Sequence, residues 1–164
     1  MYNTNIANKI SPKKISVLLD NIRSIYNVGS IFRTSDAAGI NKIYLCGISA
    51  TPEHPKLVKT ALGADKSVEW EYNISAFDTV KRLKSIGHTI YSVELTEGAI
   101  DFRTAEYPDG TVLVFGHEVD GVDKDILAIS DKVIMIPMLG IKESLNVATS
   151  YGIVAYEALR DSIK

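Results

Sequence analysis

Short apolar runs alternate with longer amphipathic stretches along this chain. The apolar runs predict six strands, over residues 14–20, 41–48, 67–72, 88–95, 111–116 and 132–139. Apolar positions repeating every 3–4 residues predict five helices, over residues 28–38, 55–63, 75–86, 123–130 and 146–162. Most strands are continuous apolar runs, which indicates that both of their faces are covered. The alternation therefore predicts an α/β fold with a mostly parallel sheet and helices on both faces.

Length and composition limit the organisation of the chain. With 164 residues, 46% of them hydrophobic, we expect a single domain over residues 1–164 with a loosely organised N-terminus over residues 1–13. No apolar run approaches the roughly 20 residues that cross a bilayer, so no membrane partner is predicted. The N-terminus has no hydrophobic signal core, which predicts a cytoplasmic protein. The single cysteine, Cys46, lies in an apolar run and is interpreted as a small buried residue rather than a reactive thiol.

The net charge of −2 conceals an asymmetry between the two parts of the chain. Residues 1–66 carry nine Lys and Arg against four Asp and Glu, whereas residues 67–164 carry nine against sixteen. One face that accepts polyanions would explain this distribution, and so would chance clustering of solvated side chains. The charge therefore permits a nucleic-acid partner without indicating one.

Polar residues follow the first predicted strand at the start of a helix. Asn27 is a suitable N-cap and Gly39 a suitable C-cap. The helical period places Val28, Ile31, Phe32 and Ser35 on one face, with Arg33 roughly opposite. Asn27, Arg33 and Thr34 would then lie near the helix start, where backbone N–H groups favour a phosphate. Two interpretations of Arg33 stay open, a solvated side chain and a phosphate ligand.

The segment "FGHEVDGVD", residues 115–123, follows the fifth predicted strand. Gly116 and Gly121 lack the G-x-G-x-x-G spacing of dinucleotide sites, and the segment lacks the second histidine of H-E-x-x-H. Three histidines and one cysteine without ligand spacing predict that the chain has no metal site. Gly116 would let a ligand approach the backbone, with Glu118 close behind it. A turn glycine next to an exposed glutamate is the alternative interpretation.

The last predicted strand and helix are joined by a polar segment, "KESLN", at residues 142–146. Ser144 or Asn146 can cap the following helix, but capping does not explain both of them together with Glu143. In that helix Ala148, Gly152 and Ala155 form a stripe of small residues, while Tyr151, Tyr156 and Leu159 offer a second apolar surface. Such a helix is usually buried in more than one direction, by its own domain or by a partner.

Three motifs together resemble the SpoU (also called TrmH) branch of the SPOUT RNA methyltransferases. They are N-x-G-x-x-x-R-T at 27–34, F-G-x-E-x-x-G at 115–121, and I-P-M at 136–138 followed by S-L-N-V at 144–147. The motifs occur in the order and spacing of the family, and the resemblance runs from about residue 15 to 160. Ala148 stands where many members have a serine. Larger members add an RNA-binding domain or basic extensions, so this chain is expected to be little more than the catalytic domain.

The resemblance implies a SPOUT fold with a C-terminal trefoil knot, which general connection rules would not predict. It also implies a homodimer that transfers a methyl group from S-adenosyl-L-methionine to a ribose 2′-hydroxyl of tRNA or rRNA. The residues that match the family's catalytic set are Asn27, Arg33, Glu118, Ser144 and Asn146. Those that match its cofactor pocket are Leu95, Gly116, Ile136, Met138, Ser144 and Leu145.

The implied reaction suggests a role for each catalytic residue. A sulfonium already carries an activated methyl group, so no metal is required. Because a guanidinium with a pKa above about 12 is a poor base, we expect Arg33 to hold an RNA phosphate and stabilise the developing alkoxide. Asn27 would hold Arg33, while Ser144 and Asn146 would orient the ribose hydroxyl and the loop. If subunits pair through the first and last helices, Arg33 of one subunit approaches residues 144–146 of the other.

Two rival functions belong to other classes. One is a non-catalytic RNA-binding or assembly protein that retains the fold, which is compatible with the small size and acidic pI. The other is a doubly wound enzyme that acts on a nucleotide, which is disfavoured because no phosphate-binding glycine loop follows the first strand. Binding of S-adenosylmethionine would distinguish the methyltransferase from both.

Overall fold

A seven-stranded sheet, in which every strand pair is parallel, runs through the computed structural model, which describes residues 13–162. The strands are β1 Ser16–Asp20, β2 Lys42–Cys46, β3 Trp70–Asn73, β4 Thr89–Val93, β5 Ile100–Asp101, β6 Thr111–Phe115 and β7 Lys132–Met135. Their spatial order is β3-β2-β1-β6-β4-β7-β5. The predicted α/β class is confirmed. The predicted loose N-terminus lies outside the described residues, except for Lys13.

Helices cover both faces of the sheet, as predicted. They are α1 Ile25–Ala38, α2 Pro55–Ala61, α3 Ala64–Ser67, α4 Ala76–Ser85, α5 Lys124–Ile129 and α6 Val147–Ala158, followed by a short 3-10 helix at Arg160–Ser162. Successive strand residues point to opposite faces. Val17 and Leu19 pack in a cluster with residues of α1 and α6, whereas Leu18 packs with residues of α4 and α5. Cys46 is fully buried in the second cluster, and this burial raises the pKa of its thiol to about 12.

Several elements have other bounds than predicted, and the largest differences concern β3, β7 and β5. The short helix α3 takes residue Ser67, so β3 begins at Trp70 rather than at residue 67. β7 ends at Met135 rather than at residue 139, because Pro137 has no N–H to continue the ladder. The apolar residues Leu139 and Ile141 are each 98% exposed in the loop that follows. The two-residue strand β5 was not predicted, because so short a run carries no periodicity.

The N-terminal end of α1 also differs from the prediction. Ser24, rather than Asn27, is the N-cap, and its side chain accepts a hydrogen bond from the Asn27 N–H at 3.2 Å. Arg33 therefore lies in the third turn of the helix, away from the N-terminal N–H groups. The predicted inner face is buried, and Gly39 ends the helix in the left-handed conformation as expected.

Helix α1 is held closely between α2 and α6. A Cβ on Gly29 would overlap the Thr60 side chain, so the glycine permits the approach of α2. On the other side, the buried Tyr151 hydroxyl shares a hydrogen bond of 2.5 Å with the Ser35 hydroxyl. A Cβ on Gly152 would lie 3.7 Å from the Thr34 methyl group, an ordinary contact, so α1 and α6 meet at this stripe without requiring the glycine.

Of the three residues predicted for the second apolar surface of α6, only Tyr156 is exposed. Tyr151 and Leu159 are buried in the protein's own core, so they are not available to a partner. Tyr156 is 56% exposed, as predicted, and Ile153 lies beside it on the surface at 38%. The reason is helical geometry, because Tyr151 and Leu159 lie two turns apart on the side that faces the sheet.

Strand β7 lies between β4 and β5, both of which precede it in the chain. The connection 94–99 between β4 and β5 therefore passes the position that β7 occupies. The trefoil knot implied by the resemblance remains a prediction. Within residues 13–162, no helix has the length and apolar character needed to cross a membrane.

Candidate functional site

A cavity of about 530 Å³ opens at the carboxyl ends of β4, β6 and β7. Its walls come from the connection after β4, the loop after β6 and the long connection from β7 to α6. In parallel sheets this edge is the usual place for a ligand. The cavity is lined by all six residues predicted to hold the cofactor, namely Leu95, Gly116, Ile136, Met138, Ser144 and Leu145. The structure thus brings these residues together, while their contacts with a cofactor remain a prediction.

Residues 116–121 form a tight loop at the cavity wall. The Gly121 N–H donates to the His117 carbonyl at 2.8 Å, and Gly121 has a φ of +73°. A Cβ on Gly116 would overlap the backbone of Gly121. The absence of a side chain at Gly116 therefore serves the packing of the loop on itself. Gly116 also lines the cavity, and the approach of a ligand to its backbone remains a prediction.

Glu118, in the same loop, holds the beginning of α1. Its carboxylate accepts hydrogen bonds from the backbone N–H groups of Arg23 at 2.8 Å and Ser24 at 3.0 Å, and from Asn27 Nδ2 at 3.1 Å. Partial burial raises the pKa of Glu118, but these donors outweigh it and leave the pKa below its ordinary value. Glu118 is thus an ionised anchor: it is exposed, as the alternative interpretation held, but its carboxylate is bonded to the beginning of α1.

Asn146 connects the cavity to α1 through Asn27. Its side-chain oxygen caps α6 by accepting from the N–H groups of Ala148 at 2.9 Å and Thr149 at 3.2 Å. Its side-chain nitrogen donates to Asn27 Oδ1 at 3.1 Å. The predicted cap at Asn146 is confirmed, whereas Ser144 is exposed at the cavity and does not cap the helix.

Within one subunit, the five predicted catalytic residues fall into separate groups. Asn27, Glu118 and Asn146 form one connected chain of hydrogen bonds, and Ser144 lies beside it on the cavity wall. The Arg33 side chain is exposed on α1 and forms no hydrogen bond or ion pair with another described side chain or backbone group. The expectation that Asn27 holds Arg33 is wrong within a subunit, since the Asn27 side chain contacts Glu118 and Asn146.

Carboxylates dominate the charge of the cavity. Its lining includes Glu94, Glu118, Asp120 and Glu143, and among the described lining residues there is no lysine or arginine. Such a wall suits a cationic ligand and disfavours a polyphosphate. The volume also lies within the range of ordinary small-molecule sites. A sulfonium cofactor therefore fits the residues present. No group of three or more metal-ligating side chains occurs in the described part of the chain.

Glu94 is a site residue that the sequence analysis missed. It directly follows the apolar strand β4 and lines the cavity beside Leu95. The sequence feature that indicates such a residue is a carboxylate soon after the end of a buried strand, as for Glu118 after β6.

Comparison with known proteins covers nearly the whole described chain. The model of the SpoU rRNA Methylase family matches residues 14–156. A tRNA (guanosine(18)-2′-O)-methyltransferase of Thermus thermophilus is 35% identical over 150 residues, covering 92% of this chain and 76% of that protein. An AdoMet-bound rRNA methyltransferase from Sinorhizobium meliloti is 28% identical, with a TM-score of 0.86 over 98% of this chain and 61% of that one.

A smaller solved protein matches over most of its own length. It was solved in work on the 2-OH methylation of C/U34 on tRNA and is 26% identical, with a TM-score of 0.80. The match covers 89% of this chain and 94% of that one. The sequence match, the sheet order and the connected polar site agree, and the chain belongs to the SpoU rRNA methylase family.

Proposed function

We propose that the protein is an S-adenosylmethionine-dependent RNA methyltransferase that methylates a ribose 2′-hydroxyl of tRNA or rRNA in the cytoplasm. The observation that carries the proposal is the carboxylate-lined cavity at the ends of β4, β6 and β7, with Asn146 at its mouth. Relatives that match most of this chain are named as methyltransferases of tRNA and rRNA. When bound, the cofactor supplies an activated methyl group, so the protein must position the ribose and help its proton leave.

Arg33 supplies the contact with RNA in this proposal. Its exposed guanidinium holds the phosphate beside the target ribose and stabilises the alkoxide that develops on the 2′-oxygen. Because the guanidinium stays protonated, it is not the base, and we assign the hydroxyl proton to the phosphate that it holds. Ser144 and Asn146 orient the hydroxyl at the cavity. Asn27 and Glu118 fix the beginning of α1 relative to the cavity wall.

The separation of Arg33 from the cavity supports a shared site in a homodimer. Arg33 of one subunit serves the cavity of its partner, with α1 and α6 of both subunits at a two-fold interface. Exposed apolar side chains support this surface, since Tyr26 on α1 and Ile153 and Tyr156 on α6 are all partly or largely exposed. Several exposed apolar side chains on neighbouring helices are typical of a surface that a partner covers.

Transfer RNA is the first substrate to test. The Thermus relative is named for guanosine 18 of tRNA, and the smaller solved protein was studied for methylation of C/U34 on tRNA. Ribosomal RNA is the second candidate, because the Sinorhizobium structure is described as an rRNA methyltransferase.

Two experiments test the proposal. Calorimetry with S-adenosylmethionine should show binding by the purified protein, whereas binding of NAD or ATP in its place would contradict the proposal. In cells, 2′-O-methylation is mapped across total RNA with and without the protein. The expected result is a lost site that returns with the wild type but not with Asn146→Ala. RNA binding without cofactor binding would instead support a non-catalytic RNA-binding protein.

A further inference from the structure

Glu94 uses both carboxylate oxygens to hold the backbone of the cavity wall. Oε1 accepts from the N–H of Leu95 at 3.0 Å, and Oε2 accepts from the N–H of Val122 at 2.9 Å. Leu95 lies in the connection from β4 to β5, and Val122 follows the loop after β6. One side chain therefore joins two of the three segments that form the cavity.

Steric contacts under the same loop depend on Glu94. A Cβ on Gly121 would overlap the Glu94 carboxylate, and a Cβ on Gly116 would overlap the backbone of Gly121. The carboxylate, Gly121 and Gly116 thus lie against one another in succession, so that a Cβ at either glycine would displace its neighbour. Glu118, which holds the start of α1, lies in the loop that this packing supports.

We propose that Glu94 is a positioning residue of the methyl-transfer site, which sets the width of the cofactor cavity by fixing Leu95 and Val122. The inference rests on the proposed function and extends it to a residue outside the family motifs quoted above. Glu94 acts through backbone N–H groups, so its loss impairs cofactor binding rather than the chemistry of a bound complex. The effect therefore falls on the KM for S-adenosylmethionine, with kcat at saturating cofactor largely kept.

The first test compares Glu94→Gln with Glu97→Gln, a matched change at an exposed glutamate in the same connection. Glutamine keeps one acceptor oxygen, so one of the two backbone N–H groups loses its partner. Losing a hydrogen bond to a charged acceptor predicts a rise of about tenfold in Kd and KM for S-adenosylmethionine. The KM for RNA and the kcat should stay within about twofold of the wild type, and Glu97→Gln should match the wild type throughout. A fall in thermal stability alone, without the change in KM, would overturn the proposal.

The second test uses a pair of substitutions and a readout that needs no cofactor. In the wild-type background, the new methyl group of Gly121→Ala collides with the Glu94 carboxylate. In a Glu94→Ala background that carboxylate is absent, and only the backbone strain from the positive φ of residue 121 remains. Gly121→Ala should therefore weaken cofactor binding less in that background. Amide hydrogen exchange at Leu95 and Val122 should quicken in Glu94→Gln.

The outcomes separate this inference from the proposed function. Unchanged exchange at both amides, or additive effects of the two substitutions, would overturn the role of Glu94. If the wild type does not bind S-adenosylmethionine, the proposed function fails, and the exchange measurement still decides whether Glu94 holds the loop.

Discussion

Replacing Glu118 by glutamine tests whether its carboxylate anchors α1. The wild-type group accepts three hydrogen bonds, from Arg23, Ser24 and Asn27, at 2.8–3.1 Å. Glutamine keeps one acceptor oxygen and places an amide nitrogen opposite at least one of these donors. A bond to a charged acceptor is worth about 1.5–3 kcal/mol, but water reaches this exposed site and reduces the loss to about 1 kcal/mol. For a chain of this size the melting temperature should fall by about 3 °C.

Thermal unfolding followed by circular dichroism measures this loss, with Glu53→Gln, at an exposed glutamate, as the control. The pH dependence gives a sharper test. Because folding lowers the pKa of Glu118 from its ordinary 4.5, its charge stabilises the fold at pH values above 4.5. That contribution is lost as the pH falls from 4.5 through the lower pKa of the folded state. The gap in melting temperature between wild type and Glu118→Gln should therefore be constant from about pH 6 to 8 and close in acid. An equal gap at pH 3 and pH 7 would refute the reasoning.

Three further predictions concern the shared site and the packing of α1. Arg33→Lys should lower kcat severely at unchanged affinity for S-adenosylmethionine, because a lysine lacks the planar fork that binds a phosphate at two points; full activity would show that charge alone suffices. Mixed dimers of Arg33→Ala and Asn146→Ala should regain part of the activity in a methyl-transfer assay after subunit exchange, whereas hybrids as inactive as both parents would mean that each subunit holds a complete site. Tyr151→Phe should cost about 1 kcal/mol in chemical denaturation, because it removes the buried bond to Ser35; an unchanged free energy of unfolding would contradict this role.

Sequence patterns predicted those parts of the fold that depend on residues close together in the chain. Continuous apolar runs predicted six of the seven strands, and Asn146 was correctly placed as a helix cap because its partners are two and three residues away. Asn27 was wrongly predicted as a cap. Its side chain is engaged by Glu118, 91 positions further along the chain, and such a contact leaves no local trace.

Tertiary contacts explain the remaining differences. The apolar sequence at 136–139 was predicted to continue the strand, but Pro137 interrupts the ladder and Leu139 is exposed to solvent. Glu94 was overlooked because Val122, its distant partner, is 28 positions away. The family motifs nevertheless identified part of the site, because they include residues from distant segments that line the same cavity.

The shortness of β5 has a consequence for aggregation and assembly. An edge strand offers unpaired backbone groups to any neighbouring chain, and a two-residue edge offers very few. The opposite edge, β3, carries Glu71 in ion pairs with Lys42 and Arg82, and charge at an edge discourages pairing with a foreign strand. Both borders of the sheet therefore resist growth by strand addition, and the proposed dimer through α1 and α6 would leave both edges as they are.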